Sequence, residues 1–402
     1  MIKTVSQAIN KIKNVKEILV FYPEKFNDIK DKKKIKFDGK SLKVDYIIDL
    51  CDYVYSKSFM EKTDIIPINA TILKKNYGDN YKTYLKYLIL NGIIKKTKNY
   101  LQGSHSNTFK VEENTIRRMK ITDKVLIKKK IKTKLNMLVS NMNASPIDRV
   151  VRERLIINLF NIDIEYSTAI KTAEIESKSP HAKILTLRAV ENIKNNSPWY
   201  SFDKFGRFHS SFTTLKSKIR KKNITIQGER LKDLDIQNSQ PLFLSVFMSN
   251  KIKKYNIEPH EYNHFKSLVI SGEFYEYIIY HMGIDKKGIA KKELYKILFG
   301  HNRNTLYYNM FRELFPTITE FLERYKKEKA NYKIFSHTLQ KMESEFLFNN
   351  IIKKALGYNP ELVFVTVHDS IMVRERDFPL VQRIFNYYHD KLVEGLGVME
   401  SV

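Results

Sequence analysis

The spacing of apolar residues changes several times along the chain, and each change predicts an element. Residues 60 to 113 read as a short helix, a turn at Gly78, a longer amphipathic helix through Leu90, a turn at Asn91-Gly92, and two strand-like pieces separated by Gly103-Ser104. From about 114 to 200, MKITDKVLIKKKIKTKLNMLVSNM and VVRERLIINLF carry apolar residues at three- and four-residue spacing, which predicts basic helices. After Trp199-Tyr200 the texture turns to strands, glycine turns and isolated acids. GERLKDLDIQNSQPLFLSVF predicts a strand that ends at Asp235. DKKGIAKKELYKILFGHN predicts a helix with Lys287, Lys291, Tyr295 and Phe299 along one face and Gly300 as its stop. VFVTVHDSIMV, residues 363 to 373, has the Val, Ile, Phe and Thr of a buried strand, yet His368, Asp369 and Ser370 stand in its middle.

Composition narrows the partner. Lys and Arg number 71 against 44 Asp and Glu, a formal charge of +27 over 402 residues, so a polyanion is expected; a lysine-rich coding bias is the plainer source of the same excess. A hydrophobic share of 43% is enough for real cores. The single Cys51 excludes an internal disulfide framework and fits a reducing compartment. No apolar run approaches the roughly 20 residues that span a bilayer, and MIKTVSQAINKIKNVKEILVF scatters its charges where a secretion signal has an apolar block. A cytoplasmic protein without a membrane partner is the expectation. The charge run DIKDKKKIKFDGK reads as an exposed loop or connector. Four regions follow: a lead over 1–40, a module over 41–115, a basic helical region over 116–200, and the strand-and-acid region 201–402. The order of elements in the second region resembles a winged helix, which either contacts DNA or serves only as a packing module.

The chemistry concentrates in the last region. An unpaired carboxylate buried in a strand costs several kcal/mol, by order of magnitude, so two such strands invite a reason for the charge. Paired aspartates on neighbouring strands hold two Mg²⁺ ions about 3.5 to 4 Å apart in phosphoryl-transfer sites. Either acid alone reads equally as a cap or a salt-bridged residue. The Lys/Tyr stripe suits a triphosphate at one end and a base and sugar at the other, and has also the spacing of an ordinary amphipathic helix.

Taken in order, the Asp235 strand, the Lys/Tyr helix and the His368-Asp369 strand resemble motifs A, B and C of the family A DNA polymerases and the phage-type single-subunit RNA polymerases. FGRFHSSFTTL, 205 to 215, is similar to the TGRLSS-type stretch before motif A. Lys287, Lys291, Tyr295, Phe299 and Gly300 match the spacing Arg-x3-Lys-x3-Phe/Tyr-x3-Tyr-Gly. LFPTITEFLERY resembles the Tyr-Pro helix start that follows motif B, and Gln340 precedes a helix leading to the His-Asp strand. The resemblance covers residues 200 to 380 and implies an α+β right-hand polymerase, with palm, fingers and thumb around an antiparallel palm sheet, preceded by the winged-helix-like module.

What the resemblance implies for each residue is specific. Asp235 and Asp369 bind two Mg²⁺ ions, for which Mn²⁺ can substitute, with the carbonyl of Ile236 as a further ligand. Lys291 neutralises the triphosphate and protonates the departing pyrophosphate, and Lys287 adds charge there. Tyr295 lies near the incoming sugar, Phe299 stacks near the base, and Gly300 closes the motif. Arg207 and Gln340 contact the primer-template, and His368 touches the primer end. Gln240 stands where DNA polymerases carry glutamate and RNA polymerases glycine, so it crowds a ribose 2′-OH; Phe299 lacks the hydroxyl of the customary tyrosine. Both features favour deoxynucleotides. His-Asp-Ser is, in contrast, the RNA-polymerase form of motif C, and Lys287 replaces an arginine.

The expected function is therefore a compact template-directed DNA polymerase, a primase or replicase of a phage or plasmid, taking nucleoside triphosphates and a primer-template duplex. No exonuclease motif precedes it, so no proofreading is expected. The alternatives are a single-subunit RNA polymerase and a non-catalytic DNA-binding replication initiator.

Overall fold

The computed structural model describes residues 3–394 except 17, 62, 99–106, 113–115, 122, 133–134, 136–146, 178 and 302–304. The chain is an α+β protein whose sheets are small and separate. It forms two compact units, one of Met1–Val139, Ile162–Trp199 and Thr214–Ile224, the other of Ser140–Asn161, Tyr200–Thr213 and Thr225–Val402.

In the first unit, β1 (Ile18–Pro23) pairs antiparallel with β7 (Ile116–Ile121), which ties the start of the chain to residues a hundred positions later. The charge run is largely exposed, and its first part, 28–33, is a turn without strand or helix, but the rest is not irregular. It forms a hairpin of β2 (Lys34–Phe37) and β3 (Lys40–Lys43), turning on Asp38 and Gly39 at φ 53° and 71°. Asp-Gly is favoured there because both central residues of such a turn need positive φ. Helix α1 (Val44–Glu61) precedes β4 (Ile65–Pro67), α2 (Ala70–Tyr77), α3 (Tyr81–Leu90), β5 (Ile94–Lys98) and β6 (Thr108–Val111). The three strands form one sheet in the order β4-β6-β5. Asn69 caps α2 by accepting from the amides of Thr71 and Ile72, and Gly78 ends it at φ 73°. Leu73, Tyr77, Leu88, Ile93 and Phe109 are buried in this unit. Gly103-Ser104, read as the break between strands, lies outside the described residues.

In the second unit, helix α4 (Arg149–Leu159) lies beside a three-stranded sheet of β10 (Leu231–Asp235), β12 (Ser370–Arg374) and β11 (Phe364–Val367), in the order β10-β12-β11. The short strands β8 (Tyr200–Phe202) and β9 (Phe208–Ser210) form an antiparallel hairpin within the second unit. The buried Asn158 amide donates to the carbonyl of Phe364 at 2.9 Å, which satisfies edge strand β11 from α4. All residues of β11 and β12 are buried, as a near-continuous apolar run requires.

The stretch 363 to 373 is thus two strands and not one. Val367 pairs with Ser370, leaving His368 and Asp369 as a two-residue turn, with His368 at φ 54°. His368 is exposed and Asp369 half-buried, while Ser370 alone of the three is buried in a strand. Asp235 is likewise exposed at the end of β10. The expectation of carboxylates buried in strands is corrected: the acids stand where strands end and water still reaches them, so the desolvation cost is largely avoided.

Candidate active site

The antiparallel register sets Asp235 opposite Ser370, and the amide of Ile236 donates to the carbonyl of Asp369 at 3.2 Å. The end of β10 therefore meets the tip of the β11–β12 hairpin, and both predicted acids are brought to one edge of the sheet. A third carboxylate, Asp233, lies on the same face as Asp235 because strand side chains alternate; it accepts from the Ser370 hydroxyl at 2.7 Å. Among the described residues no cluster of three or more His, Cys, Asp or Glu is arranged to hold an ion. Two carboxylates beside backbone carbonyls nevertheless suit Mg²⁺, which characteristically keeps waters and substrate phosphates as its remaining ligands.

Helix α7 (Lys287–Phe299) carries the predicted stripe. Lys287 and Lys291 are exposed, Tyr295 and Phe299 half-buried, so the stripe grades from cationic to aromatic. Lys291 Nζ lies 5.6 Å from the Tyr295 ring centre, and the Tyr295 and Phe299 rings are 5.3 Å apart. Together with Gly300 these side chains line a shallow open groove. Lys287 is engaged by Glu276 at 2.6 Å, on helix α6 (Phe274–His281), in a pair more than half exposed. Such pairs contribute little to stability and exchange readily for another anion.

Two tyrosines connect this helix to the acids. Burial pushes the Tyr295 hydroxyl up; Lys291 opposes the shift, and the charges of Asp369 and Glu343 add to it. Burial also raises Tyr275 on α6, with Tyr295 and Asp369 contributing. The base of the stripe accordingly lies within electrostatic reach of Asp369.

Gly300 has a steric reason to be glycine. Its amide donates to Lys296 at 2.9 Å, and a Cβ built on it would stand 2.5 Å from that same carbonyl oxygen. The buried Lys326, on helix α8 (Pro316–Glu328), donates to the carbonyls of Ile297 and Gly300 at 2.7 and 3.0 Å and so closes the helix end. Burial lowers its amine to about 8. Pro316 opens α8 at the first turn, as the Pro-containing segment predicts.

Helix α9 (Ile334–Glu345) holds the remaining residues. Gln340 lies inside it and precedes the helical segments Phe346–Ile352 and Lys353–Tyr358 that lead to β11; its half-buried amide donates to Ser336 Oγ at 2.8 Å. Three residues later, Glu343 is 1% exposed and accepts from Arg207 Nη2 at 2.6 Å, Ser239 Oγ at 2.8 Å and Gln240 Nε2 at 2.6 Å. Gln240, at the first turn of helix α5 (Ser239–Ser249), is itself buried and held rather than projecting freely. Arg207 stands where the β8–β9 hairpin turns into β9, its amide donating to Asp203 Oδ1 at 2.9 Å.

The same hairpin brings a histidine to the site. Burial works against the Asp203 carboxylate, yet His209 and the amides of Arg207 and Phe205 hold its pKa below the usual range. His209 Nε2 is 3.0 Å from Asp203 Oδ2, and its ring lies edge-on to His368 with centres 6.2 Å apart. Phe205 stacks on His337 of α9 at 4.4 Å.

Sequence reasoning missed Glu343, Asp233, Asp203, His209 and Tyr275. The D-x-D alternation of β10 and the Asp six residues before His209 were available signals; Glu343, a polar residue at an apolar-spaced helix position, offered none beyond that mismatch. No protein-family profile matches the sequence, and no curated protein matches it.

Proposed function

We propose that the chain is a Mg²⁺-dependent, template-directed nucleotidyltransferase that extends a primer, with deoxynucleotides favoured over ribonucleotides. The observation that carries the reading is the meeting of Asp235 and Asp369 at one end of the sheet, with Tyr295 of α7 within electrostatic reach of Asp369. In this reading β10–β12 are the palm sheet and α6–α8 the fingers, and the basic segments over 116–200 act as the thumb.

Two ions held by Asp235, Asp369 and the Ile236 carbonyl would activate the primer hydroxyl and stabilise the leaving oxygen. The chain's own groups do the rest. Lys291 and Lys287 supply positive charge for a triphosphate, the former free to follow it because it is exposed. Tyr295 and Phe299 offer ring faces for the sugar and base. Arg207, bonded to Glu343, and His368, beside Asp369 in the hairpin turn, are the groups this reading assigns to the primer end. The order β4-α2-α3-β5-β6 with sheet order β4-β6-β5 supports the winged-helix likeness of the first unit, and the +27 net charge of the whole chain supports a polyanion as partner.

The test is extension of a labelled primer on a DNA template with Mg²⁺. Incorporation of deoxynucleotides supports the reading, incorporation confined to ribonucleotides selects the RNA-polymerase alternative, and DNA binding without any incorporation selects the initiator.

A further inference from the structure

We infer that Glu343 is a positioning residue that sets sugar selectivity by fixing Gln240 and that anchors Arg207 through the same carboxylate. The inference rests on the nucleotidyltransferase reading and adds to it a residue that no motif marks.

Three donors from two separate segments converge on Glu343: the Arg207 guanidinium from the β8–β9 hairpin, and the Ser239 hydroxyl and Gln240 amide from α5. A carboxylate held at 1% exposure is an expensive way to fill space, since an apolar side chain of similar volume would pack there at less cost. Burial pushes its carboxyl pKa up; the Arg207 guanidinium opposes the shift and the charge of Asp369 adds to it. The arrangement also fixes which way the Gln240 amide faces. Its nitrogen is committed to Glu343, so its oxygen turns away, and Gln240 Oε1 and Arg207 Nε are both buried with no partner among the described residues. One acceptor thus orients two side chains. Without the carboxylate, Gln240 is released to turn out of the sugar's path and Arg207 loses its anchor together with it.

The experiment is single-nucleotide incorporation on a primed DNA template with Mg²⁺, comparing deoxy- and ribonucleotide kcat/KM for wild type, Glu343→Gln, Gln240→Ala and the double exchange Gln240→Glu/Glu343→Gln. Glu343→Gln should lower the deoxy-to-ribo ratio by roughly tenfold or more, in the same direction as Gln240→Ala, chiefly through ribonucleotide KM. The double exchange rebuilds an amide–carboxylate bond with donor and acceptor swapped, and should restore the ratio to within a few-fold of wild type. A Glu343→Gln protein that loses both sugars equally, or a folded double exchange that leaves the ratio lowered, overturns the inference. An inactive wild type would instead remove the nucleotidyltransferase reading beneath it.

Discussion

Asp235 and Asp369 sit at strand ends, where their positions depend on backbone register and not on each other. Replacing either with alanine should lower primer extension by about a thousandfold or more, because two-ion stabilisation contributes several kcal/mol, while DNA affinity measured by filter binding stays within a few-fold. Lys326 allows a pH prediction. Burial lowers its amine to about 8, against an ordinary value of 10.5. Between those values the unfolded chain binds more protons, so stability should rise with pH from about 8 toward 10.5. Denaturant titrations of wild type and Lys326→Met across that window should show the rise only in wild type; parallel curves would mean the amine is not perturbed. At this scale the sequence displayed the acids and the Lys/Tyr stripe, because residue type and spacing alone announce them. Glu343 and the Asp203–His209 pair were hidden, since each depends on partners from distant segments that only folding brings together.

The helix α7 and the hairpin β11–β12 are the elements on which the site depends. Gly300→Ala would place a methyl 2.5 Å from the Lys296 carbonyl oxygen, so the last turn must unwind or shift. We predict a loss of about 1–3 kcal/mol in denaturant unfolding, with nucleotide KM raised because Tyr295 and Phe299 move with that turn. Asn158→Ala should cost about 1–3 kcal/mol by leaving the buried Phe364 carbonyl unpaired; a change under about 0.5 kcal/mol would show that water replaces the amide. The helix α7 and its stop at Gly300 were legible because periodicity and a terminal glycine agree. The hairpin was not, because VFVTVHDSIMV lacks the glycine or asparagine that usually signals a two-residue turn, and His368 takes the positive φ instead. At 34–43 the error ran the other way: Asp38-Gly39 was a clear turn signal, and the density of lysines obscured it.

For the whole molecule, a charge of +27 should make duplex affinity fall steeply and log-linearly with salt. A slope near zero between about 50 and 200 mM would remove nucleic acid as the partner. No described helix is long and apolar enough to cross a membrane. The α+β class was readable from the change of period near residue 200, whereas the pairing of β1 with β7 and the interleaving of the two units were not, because long-range pairing leaves no local pattern. The most direct measurement is extension of a labelled primer on a DNA template with Mg²⁺, deoxy- or ribonucleotides supplied in parallel, and Asp369→Ala as control. The account predicts deoxynucleotide extension by wild type and none by the variant. Equal extension by both proteins, or none by wild type with DNA still bound, would contradict it.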